Sequence, residues 1–450
     1  MSVGPLRVAV VGSGPAGFYA ADCLLSADVQ VDLLERLPTP WGLVRLGVAP
    51  DHPELKTASR VFEKTAAKEG FRFFGNVEVG RDVTHDELTR LYDAVVYTVG
   101  AQTDRRLGIP GEDLPGSWAA TEFVAWYNGH PDYQQLEFDL SNERAVVIGN
   151  GNVAIDVARM LARTQEELDP TDVTDRSAAG IVAAGIREIV MLGRRGPAQA
   201  AFTPPELKEL GELGGADVIV DPADLELDPA SEAALEADRA RARRNVDILR
   251  EFAARKPVGK PKRLVLRFCV SPVQILGEGK VEAVEVVHNE LVAGEDGSIR
   301  AVPTDQVEVI PCGIVLRSVG YRGVGLPGVP FDDARGVIPN VEGRVVGEPG
   351  IYTAGWIKRG PSGVIGTNKK DAAETCGRLL EDARAGLLHS EGGELESLLR
   401  ERAVEFVMYE GWQAIDEHER GLGAPRGRPR VKLTSWDELL ETARALESTP

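Results

Sequence analysis

A strand-like run, a glycine-rich turn and a helix-like segment follow one another twice in this chain, and no other feature constrains its fold as much. The first copy is "LRVAVVGSGPAGFYAADCLL", in which an apolar run leads to Gly12, Gly14 and Gly17. Such a continuous β-branched run is typical of a strand buried on both faces of a parallel sheet. The three glycines permit a tight turn, close approach of backbone to a pyrophosphate, and close packing of helix on strand. This copy therefore predicts a dinucleotide-binding unit.

The strand that follows the first motif ends in a carboxylate. The run "VQVDLLE" closes at Glu35, which lies 18 residues after Gly17. An acidic side chain at this position reaches the hydroxyl groups of an adenosine ribose, and it repels a 2'-phosphate. The first unit is therefore predicted to hold FAD or NAD rather than NADP.

The second copy ends in the opposite charge. In "ERAVVIGNGNVAIDVARMLAR" the turn carries Gly149, Gly151 and Ala154, and the next strand, "REIVML", is followed by Arg194 and Arg195. Arginine at that strand end forms bidentate hydrogen bonds to the 2'-phosphate of NADP. Each charged hydrogen bond contributes about 1.5 to 3 kcal/mol, so two arginines would favour NADPH over NADH roughly a hundredfold or more.

Further self-similarity supports a duplicated architecture. "YDAVVYTVGA" at 92–101 and "PCGIVLRSVGYR" at 311–322 are both apolar strands that end in a Val-Gly turn, one after each glycine motif. The fold is predicted to be α/β, with two Rossmann-like dinucleotide-binding domains. A later helix is predicted from about Val364 to Ala385, and the glycine-rich turn before it is either an ordinary cap or a site for the polar edge of a flavin ring.

Composition limits the setting and the partners of the chain. The formal net charge is -19, which disfavours nucleic acid and anionic membranes as main partners. The four cysteines have no metal-ligand spacing, so we expect reduced thiols and no metal site. With no leader-like N-terminus and no apolar run near the roughly 20 residues that span a bilayer, we expect a cytoplasmic protein without a membrane span.

The chain resembles adrenodoxin reductase and the similar bacterial ferredoxin-NADP reductases over nearly its whole length. The matching segments are "VVGSGPAGFYA", "WGLVRLGVAPDHPELK", "GNVEVGRDVT", "GNGNVAIDVARML", "GRRGPAQAAFTPPELKEL" and "AGWIKRGPSGVIGT". In that family the NADP domain is inserted within the FAD domain. The resemblance therefore implies FAD-binding parts at 1–103 and 328–450, the latter with a C-terminal helical extension, around an NADP-binding domain at 104–327.

The resemblance also implies roles for individual residues, beside the glycines of the first motif. For FAD it implies contacts from Ala16, Glu35, Leu43, Val79, Trp356, Gly363, Val364 and Ile365. For NADP it implies contacts from Asn150, Gly151, Asn152, Val153, Arg194, Arg195, Glu206 and Gly363. It places His52 and Asp156 near the reaction centre as proton-handling groups. From the residues alone, His52 is equally an ordinary loop histidine, and Asp156 is equally a carboxylate that stabilises a helix dipole.

The implied activity is that of an FAD-dependent NADPH:ferredoxin oxidoreductase. A hydride would pass from NADPH to N5 of FAD, and single electrons would then pass to a ferredoxin-type iron-sulfur protein. Two alternatives stay open: an NADPH-dependent flavin monooxygenase and an FAD-binding redox sensor. The absence of a CxxC pair disfavours the disulfide reductases of this fold, such as thioredoxin reductase.

A local excess of positive charge is a candidate docking surface for an acidic ferredoxin. From Arg239 to Arg263 the chain has ten Lys or Arg residues and only Asp247 and Glu251, a net charge of +8, which leaves -27 for the rest. Segregated charge steers an acidic partner to one face. The segment is alternatively a solvated helix and linker. The predicted surface includes Lys208, which stands where adrenodoxin reductase has an arginine, together with Arg239, Arg243 and Arg244.

Overall fold

The structure, a computed structural model, describes residues 5–237, 241–294, 298–363 and 365–445. It separates into two compact units. The first unit comprises Met1–Thr103, Asn128–Gln134 and Gly320–Pro450, and the second comprises Asp104–Tyr127 and Gln135–Val319. The chain thus returns to the first unit at Gly320 rather than at the predicted 328. As cofactor domains, 1–103, 104–327 and 328–450 remain predictions.

Helices and strands are interspersed through roughly the first half of the chain, and a run of strands followed by a run of helices makes up the rest. Up to the first unit boundary they are β1 (Arg7–Val11), α1 (Pro15–Leu25), β2 (Gln30–Leu34), α2 (Leu43–Leu46), α3 (Pro53–Lys56), α4 (Ser59–Ala66), β3 (Phe71–Phe74), α5 (His85–Leu91), β4 (Ala94–Tyr97) and β5 (Thr103–Asp104). Then follow β6 (Ser117–Ala119), α6 (Ala120–Asn128), β7 (Arg144–Ile148), α7 (Asn152–Ala162), α8 (Gln165–Leu168), α9 (Asp175–Val182), β8 (Glu188–Leu192), α10 (Pro204–Leu210), β9 (Ala216–Val220), α11 (Pro229–Ala237), α12 (Arg241–Ala254), β10 (Lys262–Arg267), β11 (Val270–Leu276), β12 (Ala283–Ala293), β13 (Ile299–Pro311) and β14 (Ile314–Arg317). The remainder are β15 (Tyr321–Arg322), β16 (Asn340–Val341), β17 (Arg344–Val345), β18 (Ile351–Thr353), α13 (Trp356–Arg359), α14 (Thr367–Arg384), α15 (Leu395–Glu401), α16 (Tyr409–Gly423) and α17 (Trp436–Arg444).

The first unit is built on a sheet in the order β16-β17-β18-β4-β1-β2-β3. Strands β18, β4, β1, β2 and β3 are parallel to their neighbours, and β16 and β17 add an antiparallel edge. Val8 and Val10 of β1 point to the apolar layer that contains Phe18 and Leu24 of α1. Strand β1 is the middle one of the five parallel strands. The loop that follows it lies at the carboxyl edge of the sheet, where parallel α/β sheets bind ligands.

The second unit repeats this plan with a sheet in the order β6-β14-β7-β8-β10-β9, in which every pairing is parallel. A separate antiparallel sheet, β11-β12-β13, belongs to the same unit. The prediction of an α/β chain with two Rossmann-like units is therefore confirmed.

Within the described ranges, no helix combines the length and the apolar character that crossing a lipid bilayer requires.

Candidate dinucleotide-binding sites

The glycines of the first motif have different structural roles. Gly12 has a φ of +103°, and a Cβ built on it would lie 2.8 Å from the carbonyl oxygen of Thr98. A Cβ on Gly17 would lie 2.0 Å from the carbonyl oxygen of Gly12. A Cβ on Gly14 would meet no protein atom within 4 Å. Gly12 and Gly17 are thus required by the fold, whereas Gly14 borders open space that suits a pyrophosphate.

Both motif helices begin without a side-chain cap. The N-cap residues are Gly14 for α1 and Gly151 for α7, and neither helix has an acidic residue in its first turn. By contrast, Thr84 caps α5 and Ser435 caps α17 with complete capping boxes. The first N–H groups of a helix need a hydrogen-bond acceptor, and the helix dipole favours an anion there. The two motifs therefore leave two helix N-termini suited to phosphate.

Glu35 lies next to the first glycine loop, as the sequence predicts, and the loop itself fixes it. One carboxylate oxygen accepts hydrogen bonds from the backbone N–H of Ser13 at 3.0 Å and from its hydroxyl at 2.7 Å. The other accepts from the N–H of Leu37 at 3.1 Å. The sequence analysis missed Ser13, although its place between Gly12 and Gly14 is the signal that would have identified it.

The dipeptide Trp41–Gly42 packs directly on this loop. Both residues have positive φ, +84° and +50°, and a Cβ on Gly42 would lie 2.9 Å from the Cα of Gly14. The N–H of Trp41 donates to the carbonyl oxygen of Ser13 at 3.0 Å. The buried indole Nε1 of Trp41 has no hydrogen-bond partner among the described residues. Leu43, two residues later, begins α2 and is 37% exposed.

The segment after β18 meets the first motif at a second point. A Cβ on Gly355 would lie 2.6 Å from the Cβ of Ala16, which is buried. The ring of Trp356 lies 5.2 Å from that of Tyr321, and its Nε1 donates to the carbonyl oxygen of Ser362 at 3.1 Å. The structure thus brings Ala16 and the Trp356 segment together, as the resemblance implies.

Helix α14 begins at Thr367, three residues later than the sequence indicates. Gly363 is exposed with a φ of +83°, and Ile365 and Gly366 form a turn before the helix. Ile365 is half-buried against the core of the first unit. Val364 lies outside the described residues.

Two further predicted residues of the first unit are buried. Val79 is 6% exposed and forms an isolated bridge with Val83. His52 is 3% exposed and immediately precedes α3, so it is not a solvated loop histidine.

The second glycine loop repeats the pattern of the first. Gly149 has a φ of +139°, and a Cβ on it would lie 2.2 Å from the carbonyl oxygen of Ser318, whereas a Cβ on Gly151 would meet nothing within 4 Å. The carbonyl of Asn150 accepts from two backbone N–H groups, at Ala201 and Phe202. The N–H of Thr203 donates to Oδ1 of Asn152 at 2.8 Å. Val153 lies in the first turn of α7 and is partly exposed.

Arg194 and Arg195 lie directly after β8, and neither guanidinium has an ion-pair partner within the described part of the chain. Burial lowers the pKa of Arg195, and the neighbouring charge of Arg194 lowers it further. Two adjacent cations without a counter-charge favour an anion. The side chain of Asn289, 8% exposed, donates to the carbonyl oxygen of Arg194 at 2.9 Å. No local pattern pointed to Asn289, because it follows Arg194 by 95 residues.

The structure joins Asp156 and Glu206 through a residue that sequence reasoning missed. Arg159 is fully buried, and its guanidinium lies 2.9 Å from Asp156, 3.5 Å from Glu206 and 2.6 Å from Glu209. The i,i+3 spacing of Asp156 and Arg159 was the available signal. Asp156 is therefore part of an ion cluster and not only a carboxylate near a helix start.

The predicted docking residues lie on two helices of the second unit. Lys208 on α10 and Arg243 and Arg244 on α12 are exposed, with no ion pair among the described residues. The buried face of α12 consists of other residues, including Val246, Leu249 and Phe252. Arg239 lies outside the described residues.

These features define a class of protein: an oxidoreductase with two dinucleotide-binding units, in which an acidic residue follows β2 and two arginines follow β8. Residues 6–191 match the family model described as "Pyridine nucleotide-disulphide oxidoreductase". The chain is 51% identical to the NADPH-ferredoxin reductase FprA of Mycobacterium tuberculosis, over 97% of this chain and 98% of that one. It is 44% identical to the mitochondrial NADPH:adrenodoxin oxidoreductase of Homo sapiens, over 96% of this chain and 91% of that one.

The structure is also similar to a solved one. It matches "Mycobacterium tuberculosis FprA in complex with NADPH" with a TM-score of 0.93 and 51% identity, over 98% of this chain and 99% of that one. The chain belongs to the family of NADPH-ferredoxin and NADPH:adrenodoxin reductases, which are FAD-dependent oxidoreductases. The resemblance stated from the sequence is therefore confirmed.

Proposed function

We propose that this chain is an FAD-dependent NADPH:ferredoxin reductase. Bound FAD supplies the chemistry, because it accepts a hydride from NADPH and releases electrons singly to an iron-sulfur protein. The observation that carries the proposal is the opposite charge at the two strand ends, with Glu35 after β2 and the arginine pair after β8. One site thus accepts an unphosphorylated ribose, and the other accepts a 2'-phosphate.

The first unit would hold FAD. Gly14 leaves room for the pyrophosphate, and Glu35 is oriented toward the adenosine ribose by its bonds to Ser13. The unpartnered indole nitrogen of Trp41 supports a polar ligand at this place. The other residues proposed to contact FAD are Gly12, Ala16, Gly17, Leu43, Val79, Trp356, Gly363, Val364 and Ile365.

The second unit would hold NADPH, in the domain that we propose at 104–327. Gly151 admits the pyrophosphate at the N-terminus of α7, and Arg194 and Arg195 bind the 2'-phosphate. Asn289 fixes the backbone that carries the arginines. The remaining residues proposed to contact NADPH are Asn150, Asn152, Val153, Glu206 and Gly363.

His52 and Asp156 are proposed to handle protons near the flavin. The burial of His52, which is 3% exposed, and the ion pair of Asp156 with the buried Arg159 support this role. A histidine removed from bulk water exchanges protons with particular neighbours rather than with solvent. Their contribution is expected to be modest, because the flavin itself carries the difficult chemistry.

The exposed cations of α10 and α12 are the proposed docking surface for the ferredoxin. Lys208, Arg243 and Arg244 offer charge without internal partners among the described residues, and Arg239 is included from the sequence alone. Positive charge confined to one surface attracts an acidic protein despite a net charge of -19. A cytoplasmic location is a further proposal, supported by the four free cysteines.

An anaerobic titration of the purified holoprotein tests the function. We expect NADPH to bleach the flavin absorbance at near-stoichiometric amounts, and an added ferredoxin of the two-iron type then to be reduced. Rapid oxygen consumption that depends on an organic substrate would instead indicate the monooxygenase. Flavin that NADPH does not bleach would indicate the redox sensor, and either result would overturn the proposal.

A further inference from the structure

Two cysteines that the nucleotide sites do not use lie side by side in the first unit. Cys23 is in the third turn of α1, and Cys376 is near the middle of α14, which packs along α1. The Cys376 thiol donates a hydrogen bond to the carbonyl oxygen of Ala20 at 3.6 Å, one turn before Cys23 on α1, and the two thiols are close enough for each to shift the pKa of the other. Cys376 is fully buried in the core, whereas Cys23 is partly exposed. One cysteine is thus partly accessible to solvent, and the neighbouring one is not.

The surroundings of Cys23 favour its thiolate. The hydrogen bond with Cys376 lowers the pKa of Cys23 to about 7, against the opposing effects of burial and of Asp22. Lys68 lowers it further, and its ammonium lies 2.7 Å from the carboxylate of Asp22, which weakens the repulsion by that carboxylate. The same hydrogen bond, together with burial, raises the pKa of Cys376 well above its ordinary value. Near neutral pH about half of Cys23 is therefore thiolate, whereas Cys376 stays a thiol.

The other two cysteines lack this arrangement. Cys269 is partly exposed, as Cys23 is, but burial raises its pKa to about 11, and the nearby Asp224 and Asp228 add to the rise. Cys312 is buried, and burial raises its pKa to about 12. Both belong to the second unit. Since thiolate, not thiol, reacts with peroxides, the first unit holds the reactive sulfur.

We propose that Cys23 and Cys376 are a peroxide-reactive modification site, at which oxidation forms a reversible disulfide between α1 and α14. The proposal is independent of the proposed function, since it depends only on the two packed helices and their thiols. The bond would join the helix that begins at the first glycine loop to the helix that follows the Trp356 segment.

The reaction balances with hydrogen peroxide as the oxidant. The Cys23 thiolate attacks one peroxide oxygen, the O–O bond breaks, and hydroxide leaves, so that Cys23 becomes a sulfenic acid. The Cys376 sulfur then attacks the Cys23 sulfur, the S–O bond breaks, and the Cys376 proton leaves with the hydroxyl group as water. Two thiols and one peroxide thus give one disulfide and two waters. A resolving thiol in contact prevents further, irreversible oxidation of Cys23.

The test treats the full-length holoprotein with a small excess of hydrogen peroxide at pH 7.5. Free thiols under denaturing conditions should fall from four to two. Mass mapping without reductant should show the peptide of Cys23 joined to that of Cys376, lighter than the two separate peptides by two hydrogen atoms, and dithiothreitol should restore both thiols. The Cys269→Ser variant is the matched control, and it should still form the linked peptide.

Two further measurements separate this site from unspecific oxidation. The rate of disulfide formation should rise about tenfold per pH unit below 7 and level off above it, as the thiolate fraction of Cys23 does. In Cys376→Ser, Cys23 should be captured as the dimedone adduct when dimedone is present, and it should proceed to the sulfinic acid when dimedone is absent. Four surviving thiols, a Cys23 linked to any other cysteine, or a rate that still rises steeply near pH 9 would overturn the proposal.

Discussion

At the carboxyl ends of β2 and β8, side-chain charge distinguishes two otherwise similar sites. The glycines, Glu35 and the arginine pair could be predicted because their roles depend on neighbours close in sequence. Trp41 and Asn289 could not be assigned, because each acts through a partner that only the folded chain brings near. The spacing of Arg159 indicated Asp156 but not its distant partners Glu206 and Glu209. Local chemistry was thus enough to propose candidate site residues, whereas the residues that position them required the structure.

The glycines of the second loop separate folding from binding. Gly151→Ala is expected to leave the melting temperature and the flavin content unchanged, because the added methyl meets no protein atom. It should raise the Kd for NADPH at least about tenfold, because the methyl occupies space that the pyrophosphate needs. Gly149→Ala should instead give poorly folded protein, since its methyl would clash with Ser318. Unchanged NADPH affinity in Gly151→Ala would contradict the site.

Asn289 is expected to act only on the NADPH affinity. Asn289→Ala removes the hydrogen bond to the Arg194 carbonyl, and a lost hydrogen bond of about 1 kcal/mol raises the KM for NADPH about fivefold. The kcat should not change, because no reacting atom is touched. Ser271→Ala, which removes only the other acceptor of the Asn289 amide, is the control and should have a smaller effect. A fall in kcat with no change in KM would refute this role.

At the scale of elements, helix boundaries followed the sequence where a side chain caps the helix. Ser435 caps α17 in the S-x-x-E pattern of a capping box, whereas α14 begins three residues after its predicted start, because Ile365 and Gly366 form a turn before it. Helix α16, whose partners sequence could not indicate, contacts α2 through a buried ion pair. Arg45 and Glu419 form two hydrogen bonds, at 2.8 and 2.5 Å.

Glu419→Gln is expected to lower the free energy of unfolding by about 3 to 5 kcal/mol, as breaking a buried ion pair does. Burial raises the pKa of Glu419, but Arg45 and Arg430 lower it more, and the net shift is downward. The stabilisation is therefore present above the unfolded pKa of about 4.3 and is lost as pH falls through the lower folded value. Urea titrations at several pH values measure the free energy of unfolding of the variant and of the exposed control Glu417→Gln. Equal curves for both variants would contradict the assignment.

At the scale of the whole molecule, charge is unevenly distributed along an acidic chain. The sequence predicted the basic segment from composition, and the structure shows Arg243 and Arg244 exposed on α12. Composition could not show which cations have internal partners. Lys262, for example, is buried and donates to the carbonyl of Leu161, so it is not part of the docking surface.

Reversing that charge should slow only the transfer to ferredoxin. Arg243→Glu with Arg244→Glu is expected to lower kcat/KM for ferredoxin about tenfold or more at low salt, and less at high salt, because steering is screened. Ferricyanide reduction should not change. The control, Arg60→Glu with Lys64→Glu, makes the same charge change on exposed positions of α4. If both double variants slowed ferredoxin reduction equally, net charge rather than this surface would be responsible.

Calorimetric binding of 2',5'-ADP and 5'-AMP to the wild type and to the Arg194→Ala, Arg195→Ala double variant tests the central claim most directly. The two ligands differ in the 2'-phosphate that the arginine pair should bind. The wild type should bind 2',5'-ADP roughly a hundredfold more tightly than 5'-AMP, and the double variant should lose most of that difference while 5'-AMP binding changes little. Equal binding of both ligands by the wild type, or equal losses for both in the variant, would contradict the assignment of the second site to NADPH.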